Sequence, residues 1–318
     1  MLAAPLILAV FAAACLPAAS ALAAARWPRR SPAVAIVLWQ ALGLGWGLAA
    51  VGALAGLGAA DTQSSVARGA FALASRVLDT NSAAADRTRG LLAGILGLRL
   101  LALMAGLVLF LLLCWILVAA TAGVLRARRR QRVLLSLLAR GDPKVPGALV
   151  VDHPAAAAYC VPGIRSRIVI SAGALDLLDQ AELAAVLAHE RAHLRERHDL
   201  VLLPFTALLR AFRWCAVARE AHAAVALLVE MLADDRALRH RSARELATAL
   251  LRVGAAGGAY APAGALAVAD PGTDGQVAAR VSRLLRPAPK LPFVAVALVG
   301  VVAGATVAIP AAFLAFPF

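Results

Sequence analysis

Four stretches of the chain carry long apolar runs almost free of charge. Leu2 to about Ala25 and Ala33 to about Ala60 hold no charged residue, Leu91 to Leu125 holds only Arg99, and 291–318, "LPFVAVALVGVVAGATVAIPAAFLAFPF", holds none. A bilayer core of about 30 Å takes about 20 apolar residues in a helix, so each stretch predicts a membrane span. Between the third and fourth the pattern changes. "QRVLLSLLAR" (131–140) predicts a juxtamembrane helix ended by "GDP". "ALVVD" (148–152), "AAYCV" (157–161) and "SRIVIS" (166–171) are short, β-rich and separated by His153-Pro154 and Pro162-Gly163, which predicts a small antiparallel sheet.

Helical periods follow. Asp179 and Glu182 have capping-box spacing just before "LAAVLAHERAHL". The apolar run 200–212 is too short to span and holds Pro204, so it predicts a core or membrane-surface helix. Further helices are expected from Glu220 to Arg239, over about 242–253 and over 276–286. The segment 254–275, rich in Gly, Ala and Pro, predicts a loop that could serve as a lid. The resulting fold class is an α-helical membrane protein of four transmembrane helices (about 2–25, 33–60, 91–125 and 291–318). An α+β domain at 126–290 is inserted before the fourth, and an outer loop lies at 61–90.

Composition agrees with this map: 62% of the 318 residues are apolar and the mean hydropathy is +0.81. Charge then sets an orientation. "RWPRR" lies between the first two spans, "RARRRQR" directly follows the third and "RLLRPAPK" precedes the fourth, whereas the 61–90 loop holds four Arg and three Asp. Basic residues near span ends stay in the cytoplasm, which puts the N-terminus outside and residues 126–290 inside. The rival reading makes the first stretch a cleaved signal peptide, because "ALAAAR" has small-residue cleavage character. That reading lacks a basic n-region and places the main domain outside. The net charge of +14 does not point to nucleic acid. The Arg cluster abuts a span, where anionic headgroups account for it, and no nucleic-acid motif accompanies it. Cys15, Cys114, Cys160 and Cys215 show no ligand spacing and no disulfide framework.

The chemistry lies in "LAAVLAHERAHLRERHD" (183–199). His189 and His193 are one helical turn apart and project from one face, with Glu190 beside the first: H-E-x-x-H. Two imidazoles so placed can hold one zinc ion, and the glutamate can take a proton from water. A catalytic zinc usually has three protein ligands. Glu230, in the apolar run "AAVALLVEMLA", is the candidate third, since an interior carboxylate needs a partner. Asp234, one turn on, could bond the free ring nitrogen of a ligand histidine. His198 is five residues past His193, rotated by about 140° on a continuing helix, which favours a helix-end role over a ligand. His240 or a nearby Arg could stabilise an oxyanion.

From "SRIVIS" through "ALDLLDQAELAAVLAHERAHLRERHD" to "VEMLADDRAL" the chain resembles the BlaR/MecR-type integral membrane zinc metallopeptidases and, more distantly, the HtpX and CAAX-prenyl peptidases. The resemblance covers about 126–290. It implies a gluzincin fold, one zinc per chain held by His189, His193 and Glu230, Glu190 as catalytic base, and Asp234 beside a ligand. It also implies an edge strand at Arg167, Ile168, Val169 and Ile170 along which a substrate extends. The best-known members carry an extracellular penicillin-binding sensor after the last span; this chain is expected to lack it.

These readings predict a zinc endopeptidase of the bacterial plasma membrane that hydrolyses peptide bonds with a metal-activated water. Its site would face the cytoplasm and act in regulatory proteolysis. Expected partners are the lipid bilayer and a protein or peptide substrate, a cytoplasmic repressor among those the resemblance suggests; nucleic acid is not expected. A second class stays open: a non-catalytic signalling or scaffold protein with a structural or degenerate metal site. Retention of Glu190 weighs against it, because a structural zinc needs no base. A transporter is disfavoured by spans almost without polar residues.

Overall fold

The apolar runs form helices despite Pro17 in the first and Pro310 in the last, since a span in hydrocarbon must bond its backbone polar groups within itself. In the structure, a computed structural model, residues 3–59, 83–141, 145, 147–161, 163, 166–256 and 273–315 are described. The outer-loop residues 61–82, residues 257–272 of the expected lid and residues 316–318 of the fourth apolar stretch lie outside them. The chain divides into two units. The first comprises 1–21, 37–115 and 297–318; the second comprises 22–36 and 116–296.

Four helices are long and apolar enough to cross a membrane: α1 (Ala3–Ala24), α2 (Pro32–Ala59), α3 (Ala83–Leu138) and a C-terminal helix Phe293–Ala315. Within the first unit Leu8 and Ala12 pack against Ala49 and Ala53, with Phe11, Trp46 and Phe313 around them. Gly45 faces the backbone of Thr306, and a Cβ there would run into the Thr306 carbonyl oxygen; close helix approach of this kind selects small residues. Leu98, Leu101, Val108 and Trp115 of α3 are exposed, an outward apolar face of the kind hydrocarbon accepts.

The juxtamembrane helix expected at 131–140 is not separate. "RARRRQR" continues α3 to Leu138, because Arg, Gln and Leu are strong helix formers and nothing in the run breaks a helix. Ala139–Gly141 is already strand β1.

The second unit carries a four-stranded sheet of order β1-β2-β4-β3, with β2 at Ala148–Val151, β3 at Ala158–Val161 and β4 at Arg167–Ser171. The sheet is mixed, not purely antiparallel: β2 and β4 run parallel, Ala148 opposite Ile168, while β3 pairs antiparallel with β4, Ala158 opposite Ile170. This corrects the expected edge strand. Ile168, Val169 and Ile170 are paired on both sides, and Arg167 is paired with Val161 of β3, so β4 cannot accept an added strand along its length. Burial explains it: Ile168, Val169 and Ile170 are all buried, so both faces of β4 are covered, the signature of an interior strand. Among the described strands the outer positions belong to β1 and β3.

Alternation on β4 sends Ile168 and Ile170 to one face and Val169 to the other. The first pair packs with Val145, Ala148, Ala174 and Leu187; Val169 packs with Val161 and Leu135 of α3. Helices α4 (Ala172–Leu177), α5 (Gln180–Arg195), α6 (His198–Ala211), α7 (Ala216–Ala237), α8 (Ala243–Ala255) and α9 (Thr273–Leu285) follow; Phe293–Ala315 is α10. Helix α5 is held on two sides, Leu187 toward the sheet and Ala185 toward Ala237, Leu246, Ala247, Val281 and Leu284. Its start is fixed by the capping box: the Asp179 carboxylate accepts from the Ala181 and Glu182 amides, and Glu182 accepts from the Asp179 amide.

Candidate metal centre

Helix α5 presents His189 and His193 one turn apart, both buried, and α7 brings Glu230 to them. His189 Nε2 lies 3.1 Å from His193 Nε2 and 3.3 Å from Glu230 Oε2, and His193 Nε2 lies 3.5 Å from Glu230 Oε1. The three residues form a group whose ligand atoms all fall within 4.8 Å of one another.

The donor set fits zinc in kind and in spacing. Two imidazole nitrogens and one carboxylate are a catalytic set, and bonds of about 2.0–2.1 Å at tetrahedral angles put neighbouring donors about 3.3 Å apart. The charges point the same way. Glu230 and Asp234 share one guanidinium, Arg280, and without a metal a protonated His189, its pKa lifted to about 9, supplies positive charge that a cation would otherwise bring.

Each candidate ligand histidine has a polar neighbour at its other nitrogen. His189 Nδ1 lies 3.0 Å from Asp234 Oδ1; a proton held there leaves Nε2 free as a lone-pair donor. Burial alone would lower the pKa of His189, but the bonds to Asp234 and Glu230 lift it to about 9. Burial raises the Asp234 carboxyl, and the Arg280 guanidinium outweighs it, holding Asp234 at about 2. For Glu230, likewise, burial is overcome by His193 and Arg280, which hold it well below the usual carboxylate range.

His193 is braced by a residue placed by an irregular turn. Helix α5 stops at Arg195, and Arg197 adopts φ 51°, the left-handed region. The expected continuing helix is therefore absent: the chain turns back and brings buried His198 Nδ1 to 3.0 Å from His193 Nδ1. His198 Nε2 lies 3.4 Å from Glu196 Oε2. Burial, and then the neighbouring His193, lower His198 to a pKa of about 4. Neutral His198 can thus donate to Glu196 through Nε2 and accept the His193 Nδ1 proton on its own Nδ1. It stands outside the ligand group.

Glu190, beside His189 on α5, lies within reach of the Cys160 thiol on β3. Burial raises the Glu190 carboxyl above the ordinary range; burial and the adjacent Glu190 push the thiol up.

Arg280 is the residue sequence reasoning missed. It extends from α9 into the cluster: Nε and Nη2 donate to Asp234 Oδ2 and Oδ1 at 2.9 and 2.7 Å, and Nη1 lies 2.9 Å from Glu230 Oε2. A signal was present. Val277, Val281 and Leu284 form the apolar stripe of α9, and Arg280 falls within it. A charge on a buried face needs a buried partner. His240, the suggested oxyanion stabiliser, is exposed in the turn after α7 and lines a separate cleft with Arg191 and Arg239. The structure does not bring it to His189 or Glu230.

Residues 124–253 match the model of peptidase family M48, which supports a metallopeptidase of that family. The match holds the H-E-x-x-H helix and Glu230 and stops short of Arg280. No curated protein and no solved structure matches the chain.

Proposed function

We propose that this chain is a zinc-dependent endopeptidase of the plasma membrane, taking the family M48 match as premise. The observation that carries the reading is the convergence of His189, His193 and Glu230 with Glu190 one residue from the first. Zinc, when bound, supplies a Lewis acid that polarises a scissile carbonyl and brings water's pKa near neutrality. The protein's own groups do the rest. Glu190, its carboxyl raised by burial, takes the proton of the attacking water and returns it to the leaving amine. Asp234 and His198 hold the two imidazoles in one tautomer and one orientation. Arg280 keeps Glu230 and Asp234 ionised in the interior.

An extended substrate has β3 open to it, not β4. Helix α5 packs on β3 and Cys160 lies within reach of Glu190, so a peptide added along Ala158–Val161 would run beside the general base. We further propose a cytoplasmic site and a regulatory role, with a BlaR/MecR-like substrate such as a repressor. The basic span flanks and the resemblance of 126–290 support this.

The test is zinc content by elemental analysis of detergent-purified protein, with cleavage of an unfolded protein followed in parallel. About one zinc per chain is expected in wild type, lost in Glu230→Ala and retained without cleavage in Glu190→Ala. Zinc without cleavage in wild type would move the non-catalytic scaffold reading ahead. No zinc in wild type would remove the assignment.

A further inference from the structure

On the opposite side of α5 from Glu190 lies a cleft of about 310 Å³. Ala188, Arg191, Ala192 and Arg195 recur at i, i+3, i+4 and i+7, so one helical face supplies a low alanine floor flanked by two arginines. Arg236 at the end of α7, with Arg239 and Arg241 in the turn beyond it, forms the facing wall. Five arginines thus line the cleft, and Glu196 is the one carboxylate that does. Glu196 is already engaged, paired with Arg236 and bonded to His198. Among the described residues, Arg191, Arg195, Arg239 and Arg241 face no other acid. Cations at helix C-termini are ordinary complements to the helix dipole. That accounts for Arg195 and Arg236, which sit in last turns. It does not account for Arg191 in mid-helix or for Arg239 and Arg241 past the end of α7.

We propose that this cleft binds a phosphoryl anion, either a soluble phosphate ester or the headgroup of an anionic phospholipid. Its volume is that of about ten water molecules, enough for one compact polyvalent group. Guanidinium forks match phosphate oxygens in pairs, and a concave wall of one sign concentrates counter-ions. An acidic peptide would spread its charge along several residues, where this cleft gathers five arginines around one small volume. The site is joined to the metal cluster by the run Arg236, Glu196, His198, His193, yet anion binding does not require the zinc reading and is measured without metal.

The test uses the full chain, metal-free, in zwitterionic-lipid nanodiscs, with thermal unfolding followed while pyrophosphate is added against sodium chloride of equal ionic strength. A second set of nanodiscs contains phosphatidic acid, and a third arm adds a pentaglutamate peptide. The expected result is a saturable rise in the midpoint with pyrophosphate or with phosphatidic acid. Binding should weaken about tenfold or more in Arg239→Gln/Arg241→Gln, as the loss of two charge-assisted contacts implies. Arg191→Gln serves if the double variant does not fold. A rise with pyrophosphate identifies a soluble ligand; a rise only with phosphatidic acid identifies the lipid. The proposal is overturned if neither exceeds its control, if the variants respond as wild type does, or if pentaglutamate binds more tightly than either phosphate source.

Discussion

Arg280 and His198 carry most of what is new at the scale of single residues. Among the described residues Arg280 is the guanidinium that pairs with both Glu230 and Asp234. Its removal should leave Asp234 and Glu230 uncompensated, and breaking a buried ion pair costs about 3–5 kcal/mol. Arg280→Met is therefore expected to lower the unfolding midpoint of metal-free protein sharply. Added zinc should restore much of the loss, because the ion supplies the missing charge; equal loss with and without zinc would contradict this role. His198 acts through His193. Loss of such an outer partner costs about 10–100-fold in metal affinity, so His198→Ala should weaken zinc binding by that factor in a chelator competition, and His198→Asn should recover part of it. The same histidine gives a pH dependence. Its folded pKa lies near 4 instead of its ordinary 6.5, so below pH 6.5 the unfolded chain takes a proton that the folded chain refuses. This group's contribution to stability is constant above about pH 6.5 and is lost as pH falls toward 4. Melting of metal-free protein across that window should slope downward in wild type and be flatter in His198→Asn.

Elements decide how these residues meet. The H-E-x-x-H pair needs only one regular helix, and the capping box that starts α5 is local, so both could be read along the chain. The candidate third ligand and the residues around it arrive on other elements: Glu230 and Asp234 on α7, Arg280 on α9, and His198 through the turn at Arg197. That turn places a side chain in the left-handed region, at a cost on the order of 1 kcal/mol. Arg197→Gly is expected to hold or raise the melting temperature, whereas Arg197→Val should lower it and, by displacing His198, also weaken zinc binding. If both variants matched wild type, the turn would not be what holds His198 against His193. The sheet follows the same logic. Strand existence was legible from β-rich runs between turns, but pairing order was not, since β2 meets β4 across the intervening β3.

For the whole molecule, four apolar helices and an outward apolar face on α3 lead to a membrane protein as the proposed setting. The chain should remain in the membrane fraction after alkaline carbonate and leave it only with detergent; release by carbonate alone would contradict the spans. Charge also acts at this scale. Among the described residues the excess of arginine is spread over span flanks, the five-arginine cleft and two buried positions, Arg128 against Asp199 and Arg280 against Asp234, and each location gives the same side chain a different role.

By itself the sequence determined what depends on short range or on bulk composition: the apolar helices, the capped start of α5, and the facing of His189 and His193. Periodicity and hydrophobicity encode these within one or two turns. Tertiary structure alone decided what depends on contacts far apart in the chain. It placed β4 inside the sheet and so moved the open edge to β3, and it took His240 away from the cluster. It also reversed the chain at Arg197 and carried Arg280 46 positions beyond Asp234 to bond it. A helical period tells which face a residue occupies. Only the packing of that face against its neighbours tells whom it meets.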